Sequence, residues 1–378
     1  MIDDIGRLVR TESPSADLAA VARSAEVVAE TGAAHLGSAP DTLVVDGRTH
    51  LRWRLGDGPR RVLILGHHDT VWPLGSLADR PFTVRDGVLR GPGCFDMKAG
   101  LVMAFHALAA LGTGAVAVDG VTLLITGDEE LGSPSSRELI EAEAAGCRAA
   151  LVLEASADGG ALKTARKGIS LYEMEITGRA AHAGLEPERG VNAAVEAAHQ
   201  LLAVAALSDS AAGTTVTPTL LSAGTTVNTV PAHARFSIDV RVRDAAEQAR
   251  VDTALRGLRP VLDGAELDIT GGPNRPPLPT SASAALYARA VRLADALGAG
   301  PLTAASVGGG SDGNFTAGVG VPTLDGLGAV GGGAHADHEH VLVDELPSRT
   351  VLLAALVAEL LTAPADLLTE PADPGSSR

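Results

Sequence analysis

The chain has 378 residues, a net charge of −16, 46% apolar residues and 20% charged residues, a composition that excludes a disordered, collagen-like or disulfide-scaffold protein. The acidic balance repels phosphate backbones, so no nucleic-acid partner is expected. At ~150 residues per domain the length allows two or three domains, and with only 2% aromatic residues the core must be built mostly from Ala, Leu and Val.

Residues 1 to about 35 read as helical, with Leu8, Val9, Leu18, Val21 and Val27 at roughly helical spacing. Met1-Ile2-Asp3-Asp4 lacks the basic start and apolar stretch of a signal peptide. No apolar run approaches the ~20 residues that span a bilayer, so no membrane partner is expected. Cys94 and Cys147 read as small buried residues suited to a reducing, cytoplasmic setting.

Three short apolar runs follow: Arg61-Val62-Leu63-Ile64-Leu65, Val121-Thr122-Leu123-Leu124-Ile125 and Ala149-Ala150-Leu151-Val152-Leu153. A helical stretch from Met97 to Leu111 lies between the first two. Strands alternating with helices predict an α/β fold, with a mixed, mostly parallel sheet sandwiched by helices. From Gly168 the pattern changes. Ile169, Leu171, Met174 and Ile176 are interleaved with Tyr172, Glu173 and Glu175, and 236–242 alternates apolar with polar, as expected of a sheet with one wet face. An Ala-rich helix from Val191 to Leu207 and a helix–strand unit over 245–270 complete an inserted α+β domain, 168–272. The remaining domain is 1–167 plus 273–365, with helices at 281–297 and 345–361, and 366–378 forms a flexible tail.

Each of the three apolar runs ends in polar residues: Gly66-His67-His68-Asp69, Gly127-Asp128-Glu129-Glu130 and Glu154. Ligands of open parallel sheets gather beyond the carboxyl ends of the strands. Asp96 stands at the mouth of the predicted helix, and His335 stands in a Gly-rich loop. A lone histidine after a strand is more often a hydrogen-bonded loop residue, and a lone Asp96 would be a helix N-cap. Five segments delivering imidazole and carboxylate without cysteine point instead to zinc or a similar divalent ion. One carboxylate can bridge two ions ~3.5–4 Å apart.

The strings Gly-His-His-Asp-Thr-Val-Trp-Pro (66–73), Gly91 to Gly100, Glu129-Glu130, Glu154, Arg179-Ala180-Ala181-His182-Ala183-Gly184 and Gly-Ala-His-Ala-Asp-His-Glu (333–339) occur in this order. Together they resemble the zinc amidohydrolase and metallopeptidase family of acetylornithine deacetylase, succinyl-diaminopimelate desuccinylase, aminoacylases and bacterial glutamate carboxypeptidase. The string-level likeness is closest to glutamate carboxypeptidase. Ala99 stands where the family usually has glycine.

The resemblance implies two divalent ions, zinc foremost, with cobalt or manganese as alternatives. Asp96 would bridge them, His67 and Glu154 would complete one shell, and Glu130 and His335 the other. It implies a cis peptide after Asp96, Asp69 orienting His67, and Glu129 as general base. It also implies that the inserted domain is a lid that makes a homodimer, with His182 reaching the neighbouring subunit's site. Arg275 would clamp a substrate carboxylate, Asn228 would contact substrate, and the Gly308–Gly313 loop, Gly310 included, would line the cleft. The expected reaction is amide hydrolysis in a small N-acyl amino acid or short peptide with a free carboxylate. The alternatives are an N-acyl amino acid deacylase and a non-catalytic binding relative.

Overall fold

A computed structural model describes residues 1–114 and 118–362, so the expected tail 366–378 lies outside the described residues. The three apolar runs form adjacent parallel strands, Val121–Thr126, Val62–His67 and Ala149–Val152, in a six-stranded sheet. Every residue of these three strands is buried. Burial on both faces is why the runs are continuous rather than alternating. Val62 and Ile64 join Leu123, Ile125 and Leu151 in one core, while Leu63 and Leu65 join Leu124, Ala150 and Val152 in a second core on the opposite face. Helices Ile2–Val9, Leu18–Leu36, Ala99–Gly112, Thr280–Leu297 and Leu346–Thr362 supply side chains to the first core. Helices Arg137–Ala144 and Gly313–Gly318 supply the second.

Several sequence expectations are refined. The N-terminal helix is two helices, because Ser13 and Pro14 interrupt it and Asp17 caps the second through the Ala20 amide at 2.9 Å. One edge of the sheet is an unforeseen antiparallel hairpin, Asp41–Val45 with Arg48–Leu55. Its charged residues broke the apolar pattern that flagged the other strands. The stretch Cys94–Gly112 is long and apolar enough to cross a membrane by composition, but 72% of it is buried inside the protein, as a core helix is. Both cysteines are free and buried.

The chain divides into two compact units. Among the described residues, the first holds those of Met1–Arg166, Leu278–Val307 and Ser311–Thr362; the second holds Lys167–Pro277 with Gly308–Gly310. The second unit is an antiparallel sheet in the order Thr215–Ala223, His233–Val242, Gly168–Thr177, Glu266–Arg275. One face packs on helices Ala193–Ala205 and Ala245–Arg256. Strand Glu266–Arg275 carries this unit beyond 272. Tyr172 belongs to the buried face with Met174 and Ile176, its hydroxyl donating to Asp252 at 2.9 Å, whereas Leu171 is 48% exposed. The period-2 pleat fixes this parity whatever the polarity of one side chain.

Candidate metal centre

The register of the parallel strands builds the site. Leu65 pairs with Val152 and His67 with Thr126. His67, Gly127 and Glu154 therefore leave the sheet at one level. Helix Ala99–Gly112 begins close against this edge: a Cβ on Gly100 would meet the Leu153 carbonyl oxygen at 2.4 Å. That approach brings the preceding Asp96 loop to Glu154. The Asp96–Met97 peptide is cis, as the resemblance implies.

His67 is buried, and its Nδ1 meets the Asp69 main-chain carbonyl at 3.0 Å and the Asp69 carboxylate at 3.5 Å. Its Nε2 lies 3.3 Å from Asp96 Oδ1 and 3.4 Å from Glu154 Oε1. The other Asp96 oxygen lies 3.3 Å from His335 Nε2, which in turn lies 3.1 Å from Glu130 Oε2. Asp96 thus has one imidazole at each oxygen. Glu129 is buried and shares a cluster with His67 and Glu154, in which potential ligand atoms lie within 4.8 Å of one another. The Asp69 carboxylate accepts the Glu129 and Glu130 amides, each at 3.3 Å, and so links the histidine strand to both glutamates. Asp128 ties the same loop down by accepting the Ser135 and Ser136 amides at 2.7 and 3.2 Å and both hydroxyls at 2.6 Å.

The donor set fits a pair of divalent ions. His67 Nε2 and Asp96 Oδ1 are buried and make no hydrogen bond, which is costly for polar atoms unless another partner engages them. The 3.1–3.4 Å spacings match the edges of a tetrahedron, roughly 3.3 Å when metal–ligand bonds are about 2.0–2.1 Å. Four carboxylates converge on two imidazoles, a charge balance that divalent cations suit. Burial by itself would raise the Asp96 carboxyl, yet His335 and His67 outweigh it and hold Asp96 well below the usual carboxylate range. Asp96 and Glu130 push His335 up to about 10 against its partial burial.

Four further residues complete the surroundings. Arg166 is buried; its Nη2 donates to Glu154 Oε2 at 3.3 Å and its Nε to Asp325 at 2.6 Å. Lys163 Nζ lies 3.8 Å from the same Glu154 oxygen. Sequence reading missed Arg166 and Lys163, because basic residues in a short strand, Leu162–Arg166, ordinarily read as solvent-facing. Glu339 closes the 333–339 string that holds His335. It is buried and accepts four N–H groups: Gly93, Phe95 and Asp96 amides at 2.9, 2.9 and 3.1 Å, and the Trp72 indole at 2.7 Å. These bonds shape the loop that aims Asp96. Glutamine at 339 would turn an –NH₂ toward two of those donors. The Glu339→Gln variant is expected to bind zinc about 10–100-fold more weakly, the cost typical of residues that orient metal ligands. Competition with a chromogenic chelator measures it; unchanged affinity would remove Glu339 from this role.

His338, the other histidine of the 333–339 string, is exposed. His182, Asn228, Arg275 and Gly310 all belong to the second unit. There, His182 and Asn228 sit on paired stretches: His182 bridges Thr229, and the Ala183 amide donates to the Asn228 carbonyl at 2.9 Å. The Gly184 amide donates to His182 Nδ1 at 3.1 Å, which puts the ring proton on Nε2. Arg275 is buried, and a Cβ on Gly310 would lie 3.1 Å from its Cδ and 2.6 Å from Ile169. Arg241 pairs with Asp239 through two 2.8 Å bonds.

The sequence matches the profile of peptidase family M20/M25/M40 over residues 63–359. It is 34% identical over 314 residues to carboxypeptidase G2 of Pseudomonas sp. (strain RS-16), covering 81% of this chain and 75% of that one. It is 30% identical to succinyl-diaminopimelate desuccinylase of Phenylobacterium zucineum over 335 residues, 81% of this chain and 84% of that one. In fold it is similar to a metallo-carboxypeptidase of the same family from Sulfolobus solfataricus, with TM-score 0.76 and 16% identity over 94% of this chain and 98% of that one. The chain belongs to peptidase family M20/M25/M40, and is a metal-dependent hydrolase.

Proposed function

We propose that this enzyme uses two divalent ions, zinc foremost, to cleave the amide bond of a short peptide or small N-acyl amino acid bearing a free carboxylate, in the manner of a carboxypeptidase. One observation carries the reading: the Asp96 carboxylate has an imidazole 3.3 Å from each of its two oxygens, with Glu154 and Glu130 behind them. Asp96 would be shared, His67 and Glu154 would hold one ion, and His335 and Glu130 the other. Such ions, when bound, lower the pKa of a water toward neutrality and polarise a carbonyl. In this assignment Glu129, although close to His67 and Glu154, binds neither ion. It takes the proton of the attacking water and returns it to the leaving nitrogen. Asp69 holds Glu129 in place through its amide.

We further propose that the protein is a cytoplasmic homodimer joined through its inserted lid domain. His182 of one subunit then donates Nε2–H to the oxyanion formed in the other, a contribution of roughly 3–4 kcal/mol. Asn228, on the stretch paired with His182, contacts the substrate. The Arg275 guanidinium, beside Gly310, clamps the free carboxylate, a task its planar fork suits. Likeness to carboxypeptidase G2 supports peptide substrates. Likeness to a desuccinylase supports the second reading, an N-acyl amino acid deacylase.

Zinc-loaded enzyme assayed on C-terminal glutamyl peptides and on N-acetyl amino acids separates the two. Faster cleavage of the peptides is expected, and exclusive action on the acetyl compounds would overturn the carboxypeptidase reading. Arg275→Ala is expected to raise KM roughly tenfold to a hundredfold for substrates with a free α-carboxylate, the worth of a charge-assisted hydrogen-bond pair. If carboxylate-blocked analogues suffer equally, the clamp is wrongly assigned.

A further inference from the structure

Three side chains from three helices of the first unit meet away from the site described above. Asp4 lies in Ile2–Val9, His35 near the end of Leu18–Leu36, and His106 within Ala99–Gly112. Both histidines direct Nε2 at one oxygen: His35 Nε2 lies 3.1 Å and His106 Nε2 2.9 Å from Asp4 Oδ2. The two rings stand 4.2 Å apart between centroids, tilted by 47°. All three side chains are about a quarter exposed, 28% for Asp4, 24% for His35 and 27% for His106. The Met1 amine lies 3.3 Å from the same Asp4 oxygen.

We infer that Asp4, His35 and His106 form a third metal site, selective for zinc-like transition ions and independent of the catalytic pair. Two imidazole nitrogens and one carboxylate are the ligand set of an open zinc site, whose remaining position takes water. Their candidate ligand atoms all lie within 4.8 Å of one another, and the 2.9 and 3.1 Å spacings fall just under the roughly 3.3 Å edge of a zinc tetrahedron. Magnesium and calcium prefer oxygen ligands and are disfavoured by the imidazoles. Two imidazoles this close repel when both are protonated, whereas a metal requires both neutral. Partial exposure leaves room for an ion to enter.

The site shares no residue with the Asp96 cluster. It would clamp the first two helices onto the helix that begins three residues after Asp96. His106 lies seven residues into that helix, about 10 Å along its axis from the first residue.

The test is zinc content per chain by atomic emission, after equilibration at micromolar free zinc and rapid gel filtration. Wild-type protein is expected to carry three zinc ions. The double variant His35→Gln with His106→Gln is expected to carry two, with hydrolysis unchanged, and to lose the part of the zinc-induced rise in Tm that the third ion supplies. Equal zinc content in wild-type and variant would overturn the site. Should the double variant not fold, Asp4→Asn makes the same comparison, since it keeps both histidines but removes the charged ligand. The Asp96→Asn protein gives a second readout. With the pair weakened, cobalt added to it should still give the visible bands of a low-symmetry site, and His35→Gln in that background should abolish them. Bands that persist would refute the assignment.

Discussion

Glu129→Gln is expected to keep its zinc and its fold while kcat falls by about 10²–10⁴, the range that a positioned general base contributes. Glutamine matches the size of the buried Glu129 side chain and leaves its main-chain bond to Asp69 intact. It cannot accept a proton from water. None of His67, Asp96, Glu130, Glu154 and His335 is altered, so metal content measured on the same sample should equal that of the wild type. KM should change little, because the lost interaction is made only as the proton moves. Turnover within threefold of wild type would remove Glu129 as the base. Loss of metal together with turnover would make it a ligand instead.

Arg166→Met should produce the largest loss of stability. The Arg166 guanidinium is buried between Glu154 and Asp325, and Asp325 is fully buried. Burial works against its charge, but Asp325 and Glu154 together raise its pKa above the ordinary arginine value. Methionine fills similar volume and leaves those carboxylates facing a vanished cation. Breaking one side of a buried ion pair costs about 3–5 kcal/mol. Denaturant unfolding of metal-stripped protein should show this loss. Zinc-loaded protein should lose less, because an ion held through Glu154 compensates part of its charge. A loss below about 1 kcal/mol in the stripped protein would show that Lys163, 3.8 Å from Glu154, carries the balance alone. Arg166 also bears on catalysis. It occupies Glu154 Oε2 and leaves Oε1 toward His67, so the variant should bind zinc more weakly as well.

The sequence carried the positions of the chemistry because its signals are local. A strand buried on both faces must be continuously apolar, and polar residues at its end must leave the sheet. Val62 to His67, Val121 to Glu130 and Ala149 to Glu154 could therefore be read as strands that deliver ligands. The switch to one-faced alternation near Gly168 marked the second unit for the same reason. Tyr172 shows the limit of that reading: its hydroxyl suggested solvent, but the pleat put the ring in the core with Asp252 as partner. The hairpin Asp41–Leu55 escaped because an edge strand tolerates charge, and charge hides the pattern.

What the chain alone determined is which residue types stand at the strand ends. Only the tertiary structure decided which of them touch. Arg166 and Asp325 are 159 residues apart, and Glu339 reaches Asp96 across 243; nothing in either neighbourhood marks an arginine or a glutamate as buried. Asp4, His35 and His106 each look like ordinary helix-surface residues until three helices pack side by side. Periodicity reports how one element meets its surroundings, whereas ion pairs and metal clusters depend on distances between elements. Those distances are set when the strands register and the helices dock.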